Sequence, residues 1–290
     1  MNLLSGPVAY QGVAGAYSDI AVKAIFGPDV ATLPCPTFEA ALTAVREQRA
    51  EMAVIPVENS VAGRVADVHD LLPNCGLSIV AEHYQPIHHH LLAVPGAKLE
   101  QIQRVQSHIQ ALTQCRTYLR RHGMTPVAGG DTASAAQYVA KAVDPYLGAI
   151  ASEEAGRLYG LESLAHDIAD RPDNTTRFLV MARETPWPKP GQGLYVTSLI
   201  FRVRSVPASL YKALGGFATH GINITRLESY LVDGCFLAAQ FYADVEGHPQ
   251  DPAMVLALEE LGFFAQTVRV LGVYAAHDDR RATVSPPPVM

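Results

Sequence analysis

The sequence predicts an α/β protein in two parts. Over residues 5–183 short apolar runs alternate with amphipathic stretches, the pattern of strands covered by helices. The segment Glu184-Thr-Pro-Trp-Pro-Lys-Pro-Gly-Gln-Gly193 then breaks both kinds of pattern, so 184–196 is expected to be a linker. Beyond it, 197–275 reads strand–helix–strand–strand–helix–strand, a βαββαβ ferredoxin-like sandwich. The tail 276–290, ending Ser285-Pro-Pro-Pro-Val-Met290, cannot build a core and is expected to be disordered.

Each element has its own warrant. A strand at 7–11 runs into a helix at 18–26. Phe38, Ala41, Leu42 and Val45 recur at i, i+3, i+4 and i+7 behind Thr37, an N-cap, and give the next helix. Val54-Ile-Pro-Val57 has no polar alternation and reads as a buried strand. Helices follow at 64–72, 110–122, 132–142 and 153–159, with strands at 77–82, 87–94, 126–128, 148–151 and 177–182. Such alternation favours largely parallel sheets, which bind ligands outside the carboxyl ends of their strands. In the second part strand 197–204 precedes helix 208–220, closed by Gly221. Asp233-Gly234 separates strands 223–232 and 235–245, and Pro252 suits the first turn of helix 251–261, which leads to strand 266–274.

Composition removes several classes of function. Of 290 residues, 49% are hydrophobic and 17% charged, which excludes a largely disordered chain. The net charge is −6 with lysine and arginine dispersed, so a nucleic-acid groove is not expected. No apolar run is long enough for a membrane span and no leader pattern opens the chain; a cytoplasmic protein is expected. Cys35, Cys75, Cys115 and Cys235 are far apart and read as reduced thiols, with neither disulfide nor zinc site.

The polar loops fall where the fold places a cleft. Gln11-Gly-Val-Ala-Gly-Ala-Tyr-Ser18 can present backbone N–H groups to an anion, or serve as a plain strand-to-helix turn. Glu58, Asn59 and Ser60 come straight off a buried strand, and either carry function or cap the helix that follows. Ser107, Gln110 and Gln114 offer neutral donors, though glutamine is equally at home on a solvated helix face. In Asp173-Asn-Thr-Thr-Arg-Phe178 two hydroxyls stand beside a guanidinium, a set suited to a carboxylate. His88-His-His90 alternates faces on a strand, which makes a poor metal site and favours packing or hydrogen bonding.

In this order the loops resemble the bacterial prephenate dehydratase family. The matching pieces are Tyr10-Gln-Gly-Val-Ala-Gly-Ala-Tyr-Ser18, Ile55-Pro-Val-Glu-Asn-Ser60, Ser107-His with Gln110-Ala-Leu-Thr-Gln-Cys115, Asp131-Thr-Ala-Ser-Ala-Ala136 and Asn174-Thr-Thr-Arg-Phe178. The part after the linker is similar to an ACT domain through Gly221-Ile-Asn-Ile-Thr-Arg-Leu-Glu-Ser229 and Glu246-Gly-His248. The resemblance implies a two-lobed catalytic domain, similar to type II periplasmic-binding proteins, over 5–183, and a regulatory ACT domain over 197–275. It implies conversion of prephenate to phenylpyruvate without a cofactor or metal, in a monofunctional chain, since the dehydratase pattern already starts by Val8. Thr176 is then the donor to the departing hydroxyl and Glu58 a proton source. Asn59, Ser60, Ser107, Gln110, Gln114, Thr175 and Arg177 position substrate, with Phe178 excluding water. Two such chains would pair as a homodimer, or further as a homotetramer, and bind L-phenylalanine between ACT domains at Ala208, Leu210, Asn223, Glu228 and Ser229. Here the family's Gly-Ala-Leu turn is Ala208-Ser-Leu210 and its Glu-Ser-Arg-Pro is Glu228-Ser-Tyr-Leu231, which predicts weaker coupling. Arogenate dehydration and a non-catalytic solute sensor are the alternatives.

Overall fold

A computed structural model describes residues 6–191, 193–204, 206–232 and 235–282. The chain forms two compact units, neither continuous: residues 1–71 with 83–178, and 72–82 with 179–290. Residues 72–82 and 179–183, which the sequence reading places with the first part, thus group with the second.

The first unit holds two sheets. In one, β1 (Val8–Gln11) pairs in parallel with β2 (Thr32–Cys35) and β3 (Met52–Asn59), and a short β4 (Gly63–Arg64) folds back antiparallel on β3. Helices α1 (Tyr17–Phe26), α2 (Phe38–Arg46) and α3 (Ala66–Leu71) cover it. The α2 start is fixed as expected: Thr37 accepts from the Ala40 N–H at 3.0 Å, and Ala41, Leu42 and Val45 are buried. After β5 (Ser78–Pro86), a second sheet is ordered β10-β6-β9-β7-β8. Its strands are β6 (His90–Ala93), β7 (Arg104–Ser107), β8 (Thr125–Ala128), β9 (Leu147–Ala151) and β10 (Glu162–Ala165). β7 is parallel to β8 and β9, whereas β6 runs antiparallel to β9 and β10. Between them lie α4 (Ile109–Gln114), α5 (Arg116–Arg121), α6 (Thr132–Ala142) and α7 (Glu153–Tyr159). Leu91, Leu92, Val105, Ile150 and Val139 form the buried centre.

The β1–α1 turn approaches helix α7 closely at Gly15. There φ is +83°, and a Cβ would come within 3.0 Å of the Ala155 Cα, so only glycine is accommodated. The Ser152 hydroxyl donates to the Gly15 carbonyl at 2.8 Å and also caps α7. Strand β11 (Thr175–Ala182) neighbours β3 and begins in this unit.

The second unit realises the βαββαβ order: β12 (Tyr195–Val203), α8 (Ser209–Thr219), β13 (Ile224–Val232), β14 (Cys235–Glu246), α9 (Pro252–Phe264) and β15 (Ala265–Ala275). The sheet runs β13-β14-β12-β15, and β5 adds to it in parallel where Ile79 meets Gly272. Glycine is obligatory there, because a Cβ would collide with the Ile79 carbonyl. Leu199, Phe201, Phe217, Ala257 and Leu261 form the core against α8 and α9.

Four expectations are revised. The strand expected at 77–82 runs on to Pro86 as β5, and the one expected at 87–94 begins only at His90 as β6, which leaves His88 and His89 between the two strands. The helix expected at 64–72 is α3, trimmed to 66–71, with Arg64 taken by β4. Helix 110–122 is split at Cys115, where the Asp170 N–H donates to the Gln114 carbonyl at 2.7 Å and the Asp170 carboxylate accepts from the Thr117 N–H at 3.2 Å. The tail is ordered at least to residue 282: α10 (Asp279–Ala282) carries Arg280, whose Nε donates to Glu82 Oε1 at 2.5 Å. The Asp233-Gly234 turn and residues 283–290 lie outside the described residues.

Candidate active site

A cleft of about 420 Å³ opens within the first unit. Its walls come from the places where strands end and helices begin: the β1–α1 turn, the end of β3, the start of α4, the start of α6 and the first residues of β11. The first residues of α1, α2, α3, α4 and α6 all contribute to its lining, and the partial positive charge of helix N-termini favours an anionic ligand. Asp131 opens α6 with a reciprocal capping box, accepting from the Ser134 N–H at 2.8 Å while its own N–H donates to Ser134 Oγ at 3.0 Å.

Thr176 and Phe178 line this cleft on one face of β11, and Arg177 points away, buried at 4% exposure. The expectation that Arg177 contacts substrate is therefore not met by its placement. Asn59, Gln110 and Gln114 do line the cleft. Glu58 does not; it lies directly opposite Arg64 in the β3–β4 ladder. Ser60 and Thr175 clamp two loops together: the Ser60 hydroxyl donates to the Asp173 carbonyl at 2.7 Å and accepts from the Thr175 N–H at 2.9 Å. Ser107 is fully buried, its hydroxyl donating to the Ile150 carbonyl at 2.6 Å, a tie between β7 and β9 rather than a cleft contact.

The cleft wall is a hydrogen-bonded network whose proton directions can be worked out from one end. Backbone N–H groups of Val61 and Ala62 donate to Asn59 Oδ1 at 3.0 and 2.8 Å. A peptide N–H can only donate, so Asn59 must turn its Nδ2 the other way. That amide donates to Asn174 Oδ1 at 2.7 Å and to Thr176 Oγ1 at 3.0 Å. With its oxygen used, Asn174 donates through Nδ2 to Gln114 Oε1 at 2.9 Å, and Gln114 Nε2 returns to Asn59 Oδ1 at 3.3 Å. Gln114 Oε1 can also accept from His89 Nε2, 2.8 Å away, which fixes the proton of that ring on Nε2. Tyr17 closes the chain: its hydroxyl donates to the His88 carbonyl and lies 3.2 Å from His89 Nδ1.

Two consequences follow for charge. Burial lowers the His89 pKa to about 4, so the ring is neutral at physiological pH. Burial likewise raises Tyr17 well above the ordinary phenol range, so it keeps its proton. Thr176 Oγ1 accepts from Asn59, and its own proton is available to another acceptor.

Sequence reasoning passed over Asn174, His89 and Tyr17 as site residues. Tyr17 and Asn174 lie inside family motifs, and the face alternation of His88-His-His90 gives His89 only a packing or hydrogen-bonding part. Their contacts join positions 25 to 115 residues apart, beyond the reach of any local pattern. Among the described residues no group of three His, Cys, Asp or Glu side chains is placed to hold a metal ion, and no helix is long and apolar enough to cross a membrane.

Gln110 and Gln114 also border a second cavity of about 380 Å³, walled on its other sides by Val61, Ala62, Ile109 and Arg171.

Comparison with known proteins gives a consistent answer. A family model described as prephenate dehydratase matches residues 8–186. The chain is 47% identical over 275 residues to a bifunctional N-acyl-homoserine lactone acylase/prephenate dehydratase of Komagataeibacter europaeus, covering 94% of this chain and 97% of that protein. It is 41% identical over 281 residues to arogenate dehydratase/prephenate dehydratase 1, chloroplastic, of Arabidopsis thaliana, covering 92% and 71%. The crystal structure of prephenate dehydratase from Arthrobacter aurescens in complex with L-Phe superposes with a TM-score of 0.86 at 32% identity, covering 94% and 90%.

Proposed function

Because the chain belongs to the prephenate dehydratase family and is a lyase of that kind, we propose that its cleft converts prephenate to phenylpyruvate. In that reaction the ring carbon–carboxylate bond breaks and its electron pair enters the ring. The carbon–hydroxyl bond breaks at the opposite end, and with one proton the products are phenylpyruvate, carbon dioxide and water. No electrons are exchanged with a cofactor, and the proposal includes neither cofactor nor metal.

The observation that carries the reading is the Asn59–Thr176 hydrogen bond at 3.0 Å. By accepting from an amide whose orientation two peptide groups enforce, Thr176 is left to donate its proton to a group in the cleft. A donor aimed at a departing hydroxyl stabilises the charge that grows on it in the transition state. Phe178 keeps water from that side, and a poorly solvated carboxylate loses carbon dioxide more readily. Gln110 and Gln114 supply neutral donors for orientation.

Arogenate carries an amino group where prephenate has a keto oxygen, and the relationship to plant dehydratases named for arogenate supports it as a second substrate. Hydrolysis of N-acyl-homoserine lactones is a further reading, taken from the Komagataeibacter relative, and the apolar side of the second cavity would suit an acyl chain. Against it, among the described residues lining the cleft no serine, threonine or cysteine is hydrogen-bonded to an imidazole, the pairing that activates such nucleophiles. Regulation by L-phenylalanine at the second unit, read as an ACT domain, is proposed by likeness to the L-Phe-bound structure. Self-association and a cytoplasmic location complete the proposal.

The test is an assay of the purified chain with prephenate and arogenate, following the aromatic product by absorbance, and in parallel with an N-acyl-homoserine lactone, following its loss and hydrolysis products by mass spectrometry. Formation of phenylpyruvate from prephenate is expected. No aromatic product from either ring substrate would sink the reading.

A further inference from the structure

Prephenate enters with two carboxylates and phenylpyruvate leaves with one. The site described so far offers hydroxyls and amides, and the arginine expected to meet a carboxylate, Arg177, is buried away from the cleft. Among the described residues that line the cleft, Arg64 is the one lysine or arginine. It is exposed, and it lies at the end of β4 beside Gly63, which sits opposite Asn59 in the β3–β4 ladder. The guanidinium is therefore rooted one residue from the partner of the amide that orients Thr176. The other charged side chains of the wall, Asp67 and Asp131, repel an anion, and so does Glu58, directly opposite Arg64 on β3, which leaves the Arg64 guanidinium as the one side chain of the wall that attracts a carboxylate by its charge.

Which carboxylate that is follows from the reaction. A guanidinium on the group lost as carbon dioxide would grip a charge that vanishes in the transition state, holding the ground state back. On the surviving side-chain carboxylate the charge persists from substrate to product, and the grip is uniform. We propose that Arg64 is a substrate-binding residue that holds the surviving carboxylate. This rests on the dehydratase reading given above.

Phenylpyruvate retains only the surviving carboxylate, which makes product binding the decisive measurement. The full chain is compared with Arg64→Gln and Arg64→Lys, measuring phenylpyruvate binding by calorimetry and prephenate turnover. For Arg64→Gln the Kd for phenylpyruvate and the KM for prephenate are expected to rise together, by about 10–100-fold, the range of a lost charge-assisted hydrogen bond. The kcat should stay within about twofold of the parent, as for loss of uniform binding. Arg64→Lys should recover part of both. An unchanged Kd for phenylpyruvate, or a kcat that rises as KM rises, overturns the assignment, because it leaves Arg64 off the surviving carboxylate. If the parent chain fails to turn over prephenate yet binds phenylpyruvate in an Arg64-dependent way, the dehydratase reading fails and the assignment of Arg64 stands.

Discussion

At Thr176 one hydroxyl accepts from Asn59 and is left to donate in the opposite sense, and the direction is imposed from the peptide groups of Val61 and Ala62. Thr176→Ala is therefore expected to fold normally and lose about 10²–10³ in kcat, with a much smaller change in KM. Near-parental turnover would remove Thr176 from the mechanism. Sequence motifs brought Thr176, Asn59, Gln110 and Gln114 together correctly as neighbours of one cleft. They misplaced Arg177, although period-two alternation along β11 already set it against Thr176 and Phe178. Ser107 could not be judged from the sequence, because its partner Ile150 is distant in the chain. His89 adds an acid-side prediction. Its folded pKa of about 4 lies below the ordinary value of about 6.5, because burial disfavours the charged ring. As pH falls from 6.5 to 4 the unfolded chain takes up this proton first, so stability should decline through that window, by about 3 kcal/mol in all. Denaturant unfolding at pH 7 and pH 4.5 should show a smaller loss for His89→Gln than for the parent; equal losses would mean that His89 does not drive the decline.

Helix starts illustrate what an element inherits from a single residue. Thr37 could be read as a cap in advance because its side chain bonds within the same turn, as that of Asp131 also does in the structure. The break at Cys115 could not, because no glycine or proline marks it and the interrupting groups belong to Asp170. At α8 the residue before the first turn, Ala208, has φ +62° and ψ 16°, a left-handed conformation that costs a side chain about 1–2 kcal/mol. Glycine would adopt it freely, which gives a physical reason for the family's preference at this turn. Ala208→Gly is expected to stabilise the second unit by about 1 kcal/mol. Trp187, the chain's one tryptophan, lies in that unit and can report urea unfolding by fluorescence. A destabilised variant would show that the turn holds some other conformation in solution.

For the whole molecule, the βαββαβ order and its sheet were legible because each strand and helix carries its own period. How residues distant in sequence share a unit was not. Asn223 bonds Glu246, at the Val196 end of the sheet, with its Nδ2 3.2 Å from Glu246 Oε2, whereas Ala208 follows the Val203 end of β12. Those ends are about 20 Å apart at the rise of a strand, so one phenylalanine cannot touch both within a single chain. If the proposed effector residues act together, a second copy must supply one set. Phenylalanine is then expected to promote self-association in sedimentation experiments, with a coupling to activity below the usual 1–3 kcal/mol. Equal affinity for phenylalanine in a dilute monomer and in the assembled form would rule out a shared site.

The pairing of Ile79 with Gly272 also sets a timetable for synthesis. The β5 segment leaves the ribosome roughly 200 residues before the strand it joins in the second unit, a wait on the order of 10–40 s at 5–20 residues per second. During that interval the apolar side chains Leu77 and Ile79, both buried in the finished protein, have no β15 to meet. A nascent chain of this protein should therefore depend on chaperones most strongly between the emergence of β5 and that of β15.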